Sequence, residues 1–377
     1  MIMGTRPEAI KMAPVVSALR ARPREFDPVV VATAQHREML DQVLEIFDIV
    51  PEVDLNLMTA GQSLAGLTAR LLTSLEQLWT RTPPDAVLVQ GDTTSTFVAS
   101  LVAFYLRIPI GHVEAGLRTG DKFAPFPEEM NRRLADVLAD WYFAPTATAR
   151  DNLLREGVPE ERIRVTGNTG IDALFHTLER NRRSGFAPAG LDPAIERSSR
   201  LILVTAHRRE SFGAGLESIC DALARIARER PDAAILYPVH LNPNVRGPVF
   251  QRLGTLPNVF LTEPLDYRTF AHLMAKSRVI LTDSGGIQEE APSFGIPVLV
   301  MRDVTERVEA VAAGTAEIVG TSVSRIVKRT LALLEEAPGG RSTVNPFGDG
   351  HAAERIVQVL AEERRQPVAR SAGGRTS

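Results

Sequence analysis

Groups that can transfer protons or hold phosphate follow five apolar segments of this sequence. The segments VLVQGD, IPIGHVE, LILVTAH, ILYPVH and VILTDSGG each run from apolar residues into acidic, imidazole or small polar side chains. Those side chains are Asp92, His112, Glu114, His207, His240, Asp283 and Ser284. Carboxylates and imidazoles are the usual general acids and bases of enzymes. One such residue would fit an ordinary turn, but five strands ending this way predict an active site.

A phosphate site is predicted in LTDSGGIQEEAPSFG, where a strand gives way to a helix. Ser284, Gly285 and Gly286 stand between the two elements, so backbone N–H groups and the helix N-terminus can face an anion. This predicts a diphosphate seat, and Glu290, one turn into the helix, is placed to accept from ribose hydroxyls. Ser-Gly-Gly alone would equally fit a tight turn. Neither a Walker loop nor a G-x-G-x-x-G fingerprint occurs, so no dinucleotide cofactor is expected.

Two further segments carry charges near helix starts. In GTRPEAIKMAPVV, Gly4 precedes a helix with Arg6 and Lys11, and only four of the 43 basic residues are lysines. In PFPEEMNRRLAD, Glu128 lies in the first turn of a predicted helix, which is ordinary dipole chemistry when taken alone. Both segments gain a functional interpretation from the phosphate site and from Glu114, a short loop upstream of Glu128.

The elements that must position these residues are alternating strands and helices. Strands are predicted at PVVVATA, DAVLVQGD, IPIGHVE, IRVTGN, RLILVTAH, AAILYPVH, VFLTEP, RVILTDSGG and PVLVMRD. Helices are predicted at EMLDQVLEIF, LAGLTARLLTSLEQLW, LESICDALARIARER and YRTFAHLMAKS. Apolar strands that alternate with helices indicate βαβ units and parallel sheets. Ligands of such sheets bind beyond the carboxyl ends of the strands, where the candidate residues collect.

A break in the pattern divides the chain. The stretch ERNRRSGFAPAGLDPAIERSSR is charged and rich in Gly and Pro, and a new strand follows it. We predict an α/β protein with two doubly wound domains, at residues 1–167 and 168–351. A last helix is expected at about 352–366, and residues 367–377 are expected to form a disordered tail.

Composition excludes several classes of function. A formal net charge of −3 gives no support to nucleic acid or an anionic membrane as a partner. The single cysteine, Cys220, cannot form a disulfide within the chain, and no signal peptide or membrane span is apparent, so a cytoplasmic location is expected. His112 and Glu114 are too small a cluster to predict a metal site, and no H-E-x-x-H motif occurs.

The motifs together resemble the non-hydrolysing UDP-N-acetylglucosamine 2-epimerases. The segments that carry the resemblance are GTRPEAIKMAP, TAQHREMLDQVL, QGDTTST, GHVEAGLRTGD, PEEMNR, TGNTGIDAL, TAHRRESFG, YPVHLNPNV, LTDSGGIQEEAPSFGIPVLVMRD and NPFGDG. They run in the family's order from Gly4 to about residue 360. Ten long matches in register are far more specific than a single short motif.

The resemblance implies a fold and a reaction. The fold is the GT-B architecture: two Rossmann-like domains with the active site in the cleft between them, and a C-terminal helix that returns to the first domain. The reaction converts UDP-N-acetylglucosamine (UDP-GlcNAc) to UDP-N-acetylmannosamine (UDP-ManNAc) by elimination of UDP to 2-acetamidoglucal and re-addition. No cofactor is implied. The resemblance does imply a homodimer, and it implies that the product supplies synthesis of an envelope or capsule polysaccharide.

The resemblance also assigns residues. Asp92, Glu114, Glu128 and His207 match the catalytic positions, with the carboxylates serving proton transfer at C2 and His207 near the leaving diphosphate; which carboxylate is which base stays open. Substrate-binding positions are matched by Arg6, Lys11, Ser284, Gly285, Gly286 and Glu290.

A second UDP-GlcNAc activates bacterial members of this family, and its site is matched by Gln35, Glu128, Arg208 and His240. Glu38 and Gly61 depart from the Gln and Arg of some members, which is expected to weaken this contact. Val304 and Val308 replace the usual Thr and Pro, which predicts a less rigid loop. The first strand, with only MIM before Gly4, is short.

Three other functions compete with this interpretation. A GT-B glycosyltransferase would share the fold and the nucleotide seat, but it would have less use for three carboxylates and a histidine around one sugar. The hydrolysing type of epimerase usually carries a fused kinase domain. A non-catalytic nucleotide-sugar sensor would be expected to lack at least one of Asp92, Glu114, Glu128 or His207, and all four are present.

Overall fold

The chain divides into two compact α/β units in a computed structural model of the protein. The structure describes residues 1–33, 37–57, 61–208, 211–336 and 344–365, with only the backbone for 37–39 and 365. The first unit comprises residues 1–172 together with 350–377, and the second comprises residues 173–349. The predicted tail at 367–377 lies outside the described residues.

Parallel strands form the centre of each unit. The strands are β1 (Ile2–Met3), β2 (Val31–Ala32), β3 (Val53–Asp54), β4 (Val87–Gln90), β5 (Ile110–Val113), β6 (Trp141–Ala144), β7 (Ile163–Val165), β8 (Leu201–Thr205), β9 (Ala234–Pro238), β10 (Val259–Thr262), β11 (Val279–Thr282), β12 (Val298–Val300) and β13 (Ala316–Ile318). Every predicted strand is found. Strands β3, β6 and β13 are additional to the prediction.

Helices connect the strands. They are α1 (Arg6–Arg20), α2 (Arg37–Ile46), α3 (Leu64–Arg81), α4 (Thr94–Tyr105), α5 (Glu128–Leu138), α6 (Ala147–Arg155), α7 (Thr169–Ser184), α8 (Pro193–Arg197), α9 (Ala214–Glu229), α10 (Pro243–Leu253), α11 (Tyr267–Lys276), α12 (Gly285–Glu290), α13 (Val308–Ala312), α14 (Val323–Glu335) and α15 (Ala352–Arg365). Short 3₁₀ turns occupy Glu160–Arg162 and Ala291–Phe294.

The two units share one strand order. In the second unit the order is β10-β9-β8-β11-β12-β13. In the first unit, strands β1-β2-β3 and β4-β5-β6-β7 form two parallel sheets, and β1 lies against β4. Counted within each unit, the second follows the Rossmann order 3-2-1-4-5-6, and the first follows the same order with a seventh strand added after the sixth. In both, the direction of winding reverses between the first and fourth strands. The predicted α/β fold class is therefore confirmed.

Alternating side chains place apolar residues on both faces of the second sheet. Ile202 and Val204 of β8 belong to one buried cluster, and Leu201 and Leu203 belong to another on the opposite face. The first unit follows the same logic: a stripe on α3 at Leu67, Leu71 and Leu75 packs on β4. The strands are thus covered on both sides, and their polar groups are confined to the ends.

The last helix packs within the first unit. Helix α15 lies against α1, and its N-terminal end is capped from α7, where the Ala353 amide donates to Asp172 Oδ1 at 2.7 Å. The Arg355 guanidinium donates to the Thr166 carbonyl at 2.9 Å.

Candidate functional site

Several of the predicted residues lie at the reversal point of each unit. In the first unit, the segment from Gly4 to Lys11 follows β1, and Asp92 follows β4. In the second, His207 follows β8, and Ser284 follows β11, which pairs with β8 through Thr282 and Thr205. Open α/β sheets bind ligands at this point, because the neighbouring loops diverge there and leave a crevice.

The Glu114 carboxylate is buried and held by two side chains. Lys11 Nζ lies 2.6 Å from Oε1 and 2.7 Å from Oε2, and the Gln90 amide donates to Oε2. The Glu114 backbone has a φ of +67°, a left-handed conformation that costs energy in a residue with a side chain. Its amide and that of Ala115 both donate to the Phe143 carbonyl, at 3.0 and 3.2 Å. These contacts fix the direction of the carboxylate.

The Asp92 carboxylate is fixed by helix α5. Arg132 Nη2 donates to Asp92 Oδ2 at 2.5 Å, and the Asn131 side chain donates to the Asp92 carbonyl at 3.0 Å. The Asp92 side chain remains 31% exposed, so a substrate can reach it. Within the described parts of the chain, the side chains of Glu128 and Arg6 form no hydrogen bond or ion pair, which leaves both able to bind a ligand.

Glu8 connects the segment that leads into α1, where Arg6 lies, with the loop after β4 that carries Asp92. Its Oε2 accepts from the Gly4 and Thr5 amides at 3.1 and 2.7 Å, and its Oε1 accepts from the Thr93 hydroxyl at 2.7 Å. Burial raises the pKa of Glu8, and these hydrogen bonds oppose the rise. The capping box of Thr5 and Glu8 therefore also positions the start of α4.

His112 does not face a substrate. Its ring is fully buried, with Nδ1 2.6 Å from Asp136 Oδ1 and Nε2 2.7 Å from the Gly91 carbonyl oxygen. Asp136 Oδ2 also accepts from the Gly116 amide at 3.1 Å and lies 2.8 Å from Arg118 Nη2. His112 and Arg118 thus belong to a network of charged side chains around Asp136.

Gly116 is required for this network by its backbone. Its φ is +87°, and a Cβ there would stand 2.3 Å from the Ala149 carbonyl oxygen. Any side chain would push the loop away from α6 and move the Gly116 amide off Asp136.

A buried aspartate organises the loop of the second unit. Asp283 is fully buried, and its Oδ2 accepts from the His207 and Arg208 amides at 2.6 and 2.7 Å. The Ser284 amide is fixed by Thr282 Oγ1 at 2.9 Å. The Ser284 hydroxyl does not cap α12, so it is available to a ligand.

His207 and His240 are brought together. Their rings stack, with centroids 5.5 Å apart and planes inclined by 12°. Burial lowers the pKa of His207, and the neighbouring His240 and Arg208 act in the same direction against the partly offsetting Asp283 carboxylate. The imidazole is therefore neutral near pH 7, and an incoming anion would favour its protonation.

The loop after β12 packs on the segment that the sequence predicts to bind diphosphate. A Cβ on Gly285 would stand 2.9 Å from Arg307 Cζ, and Arg307 Nε donates to Glu289 Oε1 at 2.9 Å. The Thr305 hydroxyl donates to Gln288 Oε1 at 2.6 Å. These contacts anchor the loop that carries the exposed Val304 and Val308. Glu290 is half-buried on the same helix.

Part of the predicted second site falls outside the described residues. This applies to Gln35 and to the side chain of Glu38. Gly61 is described: it is exposed, has a φ of +69° and has open space around its Cβ position.

Four structural partners were not predicted from the sequence: Gln90, Arg132, Glu8 and Asp136. Gln90 and Arg132 each lie inside a quoted motif, QGDTTST and PEEMNR, and a polar residue on an otherwise apolar strand was the available signal for Gln90. Glu8 and Asp136 read as ordinary helix residues. In the parts of the chain that the structure covers, no cluster of three or more metal-ligating side chains occurs. No helix in those parts is both long and apolar enough to cross a membrane.

Comparison with known proteins identifies relatives along nearly the whole chain. The family model for UDP-N-acetylglucosamine 2-epimerase matches residues 17–361. A UDP-N-acetylglucosamine 2-epimerase of Salmonella typhimurium is 54% identical over 369 residues, which is 96% of this chain and 98% of the relative.

Solved structures of the same kind superimpose closely. The UDP-GlcNAc 2-epimerase from Neisseria meningitidis, bound to UDP-GlcNAc, is 47% identical with a TM-score of 0.87, over 96% of this chain and 98% of that one. The enzyme of Methanocaldococcus jannaschii, in complex with UDP-GlcNAc and UDP, is 33% identical with a TM-score of 0.78, over 96% and 98%.

The fold first defines an α/β enzyme of the GT-B class, with two Rossmann-like units whose strands lead into the carboxylate, imidazole and serine side chains described above. Within that class, the chain belongs to the UDP-N-acetylglucosamine 2-epimerase family.

Proposed function

We propose that this protein interconverts UDP-GlcNAc and UDP-ManNAc by inversion at C2 of the sugar. The observation that carries the proposal is the Glu114 carboxylate, buried between Lys11 and Gln90 and directed by a left-handed backbone at the end of β5. A carboxylate held at this cost is typical of a reacting group. The relatives from Salmonella and Neisseria bear the name of this activity.

The reaction proceeds by elimination and re-addition. A carboxylate takes the C2 proton, the C2–H electrons form the C1=C2 double bond, and UDP leaves C1 with the electron pair of the C1–O bond. Return of UDP to the 2-acetamidoglucal, with protonation of C2 on the opposite face, gives the epimer. The route is redox-neutral.

The proton-transfer groups are assigned to the first unit. Asp92, Glu114 and Glu128 serve proton transfer and charge stabilisation at C1 and C2. Arg6 binds the substrate. Lys11, predicted as a substrate contact, also holds Glu114 in place, because its ammonium lies within 2.7 Å of both carboxylate oxygens.

The second unit holds the nucleotide. The Ser284 hydroxyl and the backbone at Gly285 and Gly286 bind the diphosphate, and Glu290 binds the ribose. The neutral His207 lies near the leaving group, where negative charge that develops on UDP would draw a proton to it.

Regulation and assembly follow the same family pattern. We propose that a second UDP-GlcNAc, bound through Gln35, Glu128, Arg208 and His240, activates the enzyme, and that the enzyme is a homodimer. UDP-ManNAc would then feed synthesis of an envelope or capsule polysaccharide. A cytoplasmic location fits the single, buried Cys220.

Proton NMR of UDP-GlcNAc incubated with the protein in D₂O tests the activity. We expect UDP-ManNAc signals with deuterium at C2. Tight UDP-GlcNAc binding with neither a new sugar nor exchange at C2 would overturn the proposal and favour a glycosyltransferase or a sensor. Release of free ManNAc with UDP would identify a hydrolysing epimerase.

A further inference from the structure

Both ring nitrogens of His112 face hydrogen-bond acceptors. Nε2 lies 2.7 Å from the Gly91 carbonyl oxygen, which can only accept. Nδ1 lies 2.6 Å from Asp136 Oδ1. A neutral imidazole has one N–H, so it could satisfy only one of these contacts unless the carboxyl group were protonated.

Asp136 is an ionised carboxylate. Its Oδ2 receives the Gly116 amide at 3.1 Å and lies 2.8 Å from Arg118 Nη2. Burial of Asp136 raises its pKa, but the charges and hydrogen bonds of His112 and Arg118 outweigh burial, so the net shift is downward. Asp136 therefore cannot donate to His112, so the imidazole ring carries a proton on each of its two nitrogens.

This ion pair holds the chain at three points around the proposed proton-transfer groups. His112 lies on β5, two residues before Glu114. Gly116, whose amide donates to Asp136 Oδ2, lies two residues after Glu114. The Gly91 carbonyl, bound to Nε2, belongs to the peptide that continues into Asp92. One buried pair thus fixes the backbone on both sides of Glu114 and directly before Asp92.

We propose that His112 is a permanently protonated positioning residue, which as an imidazolium paired with Asp136 sets the relative placement of Asp92 and Glu114. The proposal rests on the function proposed above for those two carboxylates. His112 itself touches no reacting atom.

The charged and titratable groups around the ring come from each neighbouring element. Asp136 lies on α5, Arg118 follows β5 and is itself paired with Glu156 of α6, and Tyr142 lies beside His112 on β6. Burial lowers the pKa of His112, yet Asp136 outweighs burial and Arg118, so the net shift is upward. The pair therefore stabilises the fold fully below the unfolded pKa of about 6.5, and this contribution is lost only as the pH rises through the raised value.

Nitrogen NMR of the wild-type protein, labelled with ¹⁵N-histidine, tests the protonation state. Among the seven histidines, we expect one whose two ring nitrogens both stay protonated from pH 6 to pH 8. The signal is assigned by its loss in His112→Gln. If no histidine stays doubly protonated at pH 8, or the one that does is still present in His112→Gln, the proposal is overturned. This result is independent of the activity.

Kinetics then test the positioning role. His112→Gln offers one neutral amide in place of a cation with two donors, and we expect kcat to fall about 10²-fold, as misplaced catalytic groups do. The Kd for UDP should be unchanged, because the proposed UDP contacts lie in the second unit. His351→Gln is the matched control, because His351 is exposed on the short segment before α15, and its kcat should equal that of the wild type. A His112→Gln enzyme with wild-type kcat would overturn the role.

A second variant distinguishes charge from packing. Asp136→Asn removes the carboxylate that raises the pKa of His112 while leaving the volume intact. We expect its ¹⁵N spectrum to lack the doubly protonated histidine at pH 8, because burial and Arg118 then lower the pKa of His112 without an opposing carboxylate, and we expect kcat to be low from pH 6 to pH 8. A doubly protonated signal that persists at pH 8 in Asp136→Asn, or a kcat equal to that of the wild type, would overturn the proposed pair. If this variant does not fold, the wild-type spectrum and His112→Gln decide the question.

Discussion

At the scale of single residues, two of the carboxylates proposed to transfer protons are held in fixed positions by their neighbours. Glu114 is held by Lys11, Gln90 and its own backbone, and Asp92 is held by Arg132 and Asn131. A carboxylate that is already in place when substrate arrives needs little reorganisation during proton transfer.

Replacement of Glu114 by Gln tests its role in proton transfer. The amide is nearly isosteric but cannot accept a proton, so we expect kcat to fall by roughly 10²–10⁴-fold, the usual contribution of a general acid–base group. The affinity for UDP, measured by calorimetry, should stay within about twofold. Glu25→Gln is the control, since Glu25 pairs with Arg22 at the surface. Unchanged turnover in Glu114→Gln would remove Glu114 from the mechanism.

The sequence identified the candidate site residues but not the side chains that hold them in position. Asp92, Glu114 and His207 could be found because parallel strands bring their carboxyl ends to one edge. Glu8 could not, because its partner Thr93 lies 85 positions away and is brought near only by the tertiary packing of β1 and α1 on β4 and α4. His112 was grouped with Glu114 by sequence proximity, but its ring is buried against Asp136, and the left-handed backbone of Glu114 ends the strand alternation that would place the two side chains on one face.

At the scale of elements, the first unit depends on a helix from the far end of the chain. Helix α15 begins where the Ala353 amide meets Asp172 Oδ1 at 2.7 Å, a contact buried within the first unit. Helix N-termini are costly to leave without acceptors, because their first amides have no partner inside the helix.

Substitution of Asp172 by Ala tests this cap. We expect the free energy of unfolding to fall by about 1–3 kcal/mol, the cost of a buried donor left without a partner. Amide hydrogen exchange should accelerate first in the initial turn of α15. Glu362→Gln, an exposed change on the same helix, should leave both measurements unchanged. Slow exchange in that turn of Asp172→Ala would show that the cap carries little of the stability.

Elements with a clear apolar pattern were predictable, and those without one were not. The α3 pattern, with Leu67, Leu71 and Leu75 on one face, predicts its helix directly. Strands β3 (VD) and β13 (AEI) each contain an acidic residue, whereas the equally short β2 and β12 lie inside the aliphatic runs PVVVATA and PVLVMRD. Strand β6, in DWYFAPT, lacks the aliphatic run of its neighbours and is a strand because β5 and β7 pair with it.

At the scale of the whole molecule, one chain repeats the Rossmann strand order in both units, and the proposed binding groups follow the strands at the same point of each. The first unit carries the acidic groups proposed to transfer protons, and the second carries the proposed anion seat. The division of labour predicted from the motifs thus has a counterpart in the topology, although the predicted sequence of strands alone did not fix their order within each sheet.

Steady-state kinetics test the proposed second site. We expect the rate to rise sigmoidally with UDP-GlcNAc, with a Hill coefficient between 1 and 2, because an activator and a substrate are the same compound. UDP-ManNAc alone should be converted only after a trace of UDP-GlcNAc is added. A hyperbolic curve, together with immediate conversion of UDP-ManNAc, would exclude activation by a second molecule.

All the strands are parallel, so the turns at their amino ends lie away from the proposed binding loops and can be used for chemical attachment. Asp85 is exposed in the turn that enters β4, at the end of that strand remote from Asp92. The native thiol, Cys220, is buried, and burial raises its pKa to about 12, so it reacts poorly with maleimides. A cysteine introduced at position 85 would therefore be an accessible attachment point for a bead or a fluorophore, at the opposite end of the strand from the loops proposed to bind nucleotide sugar.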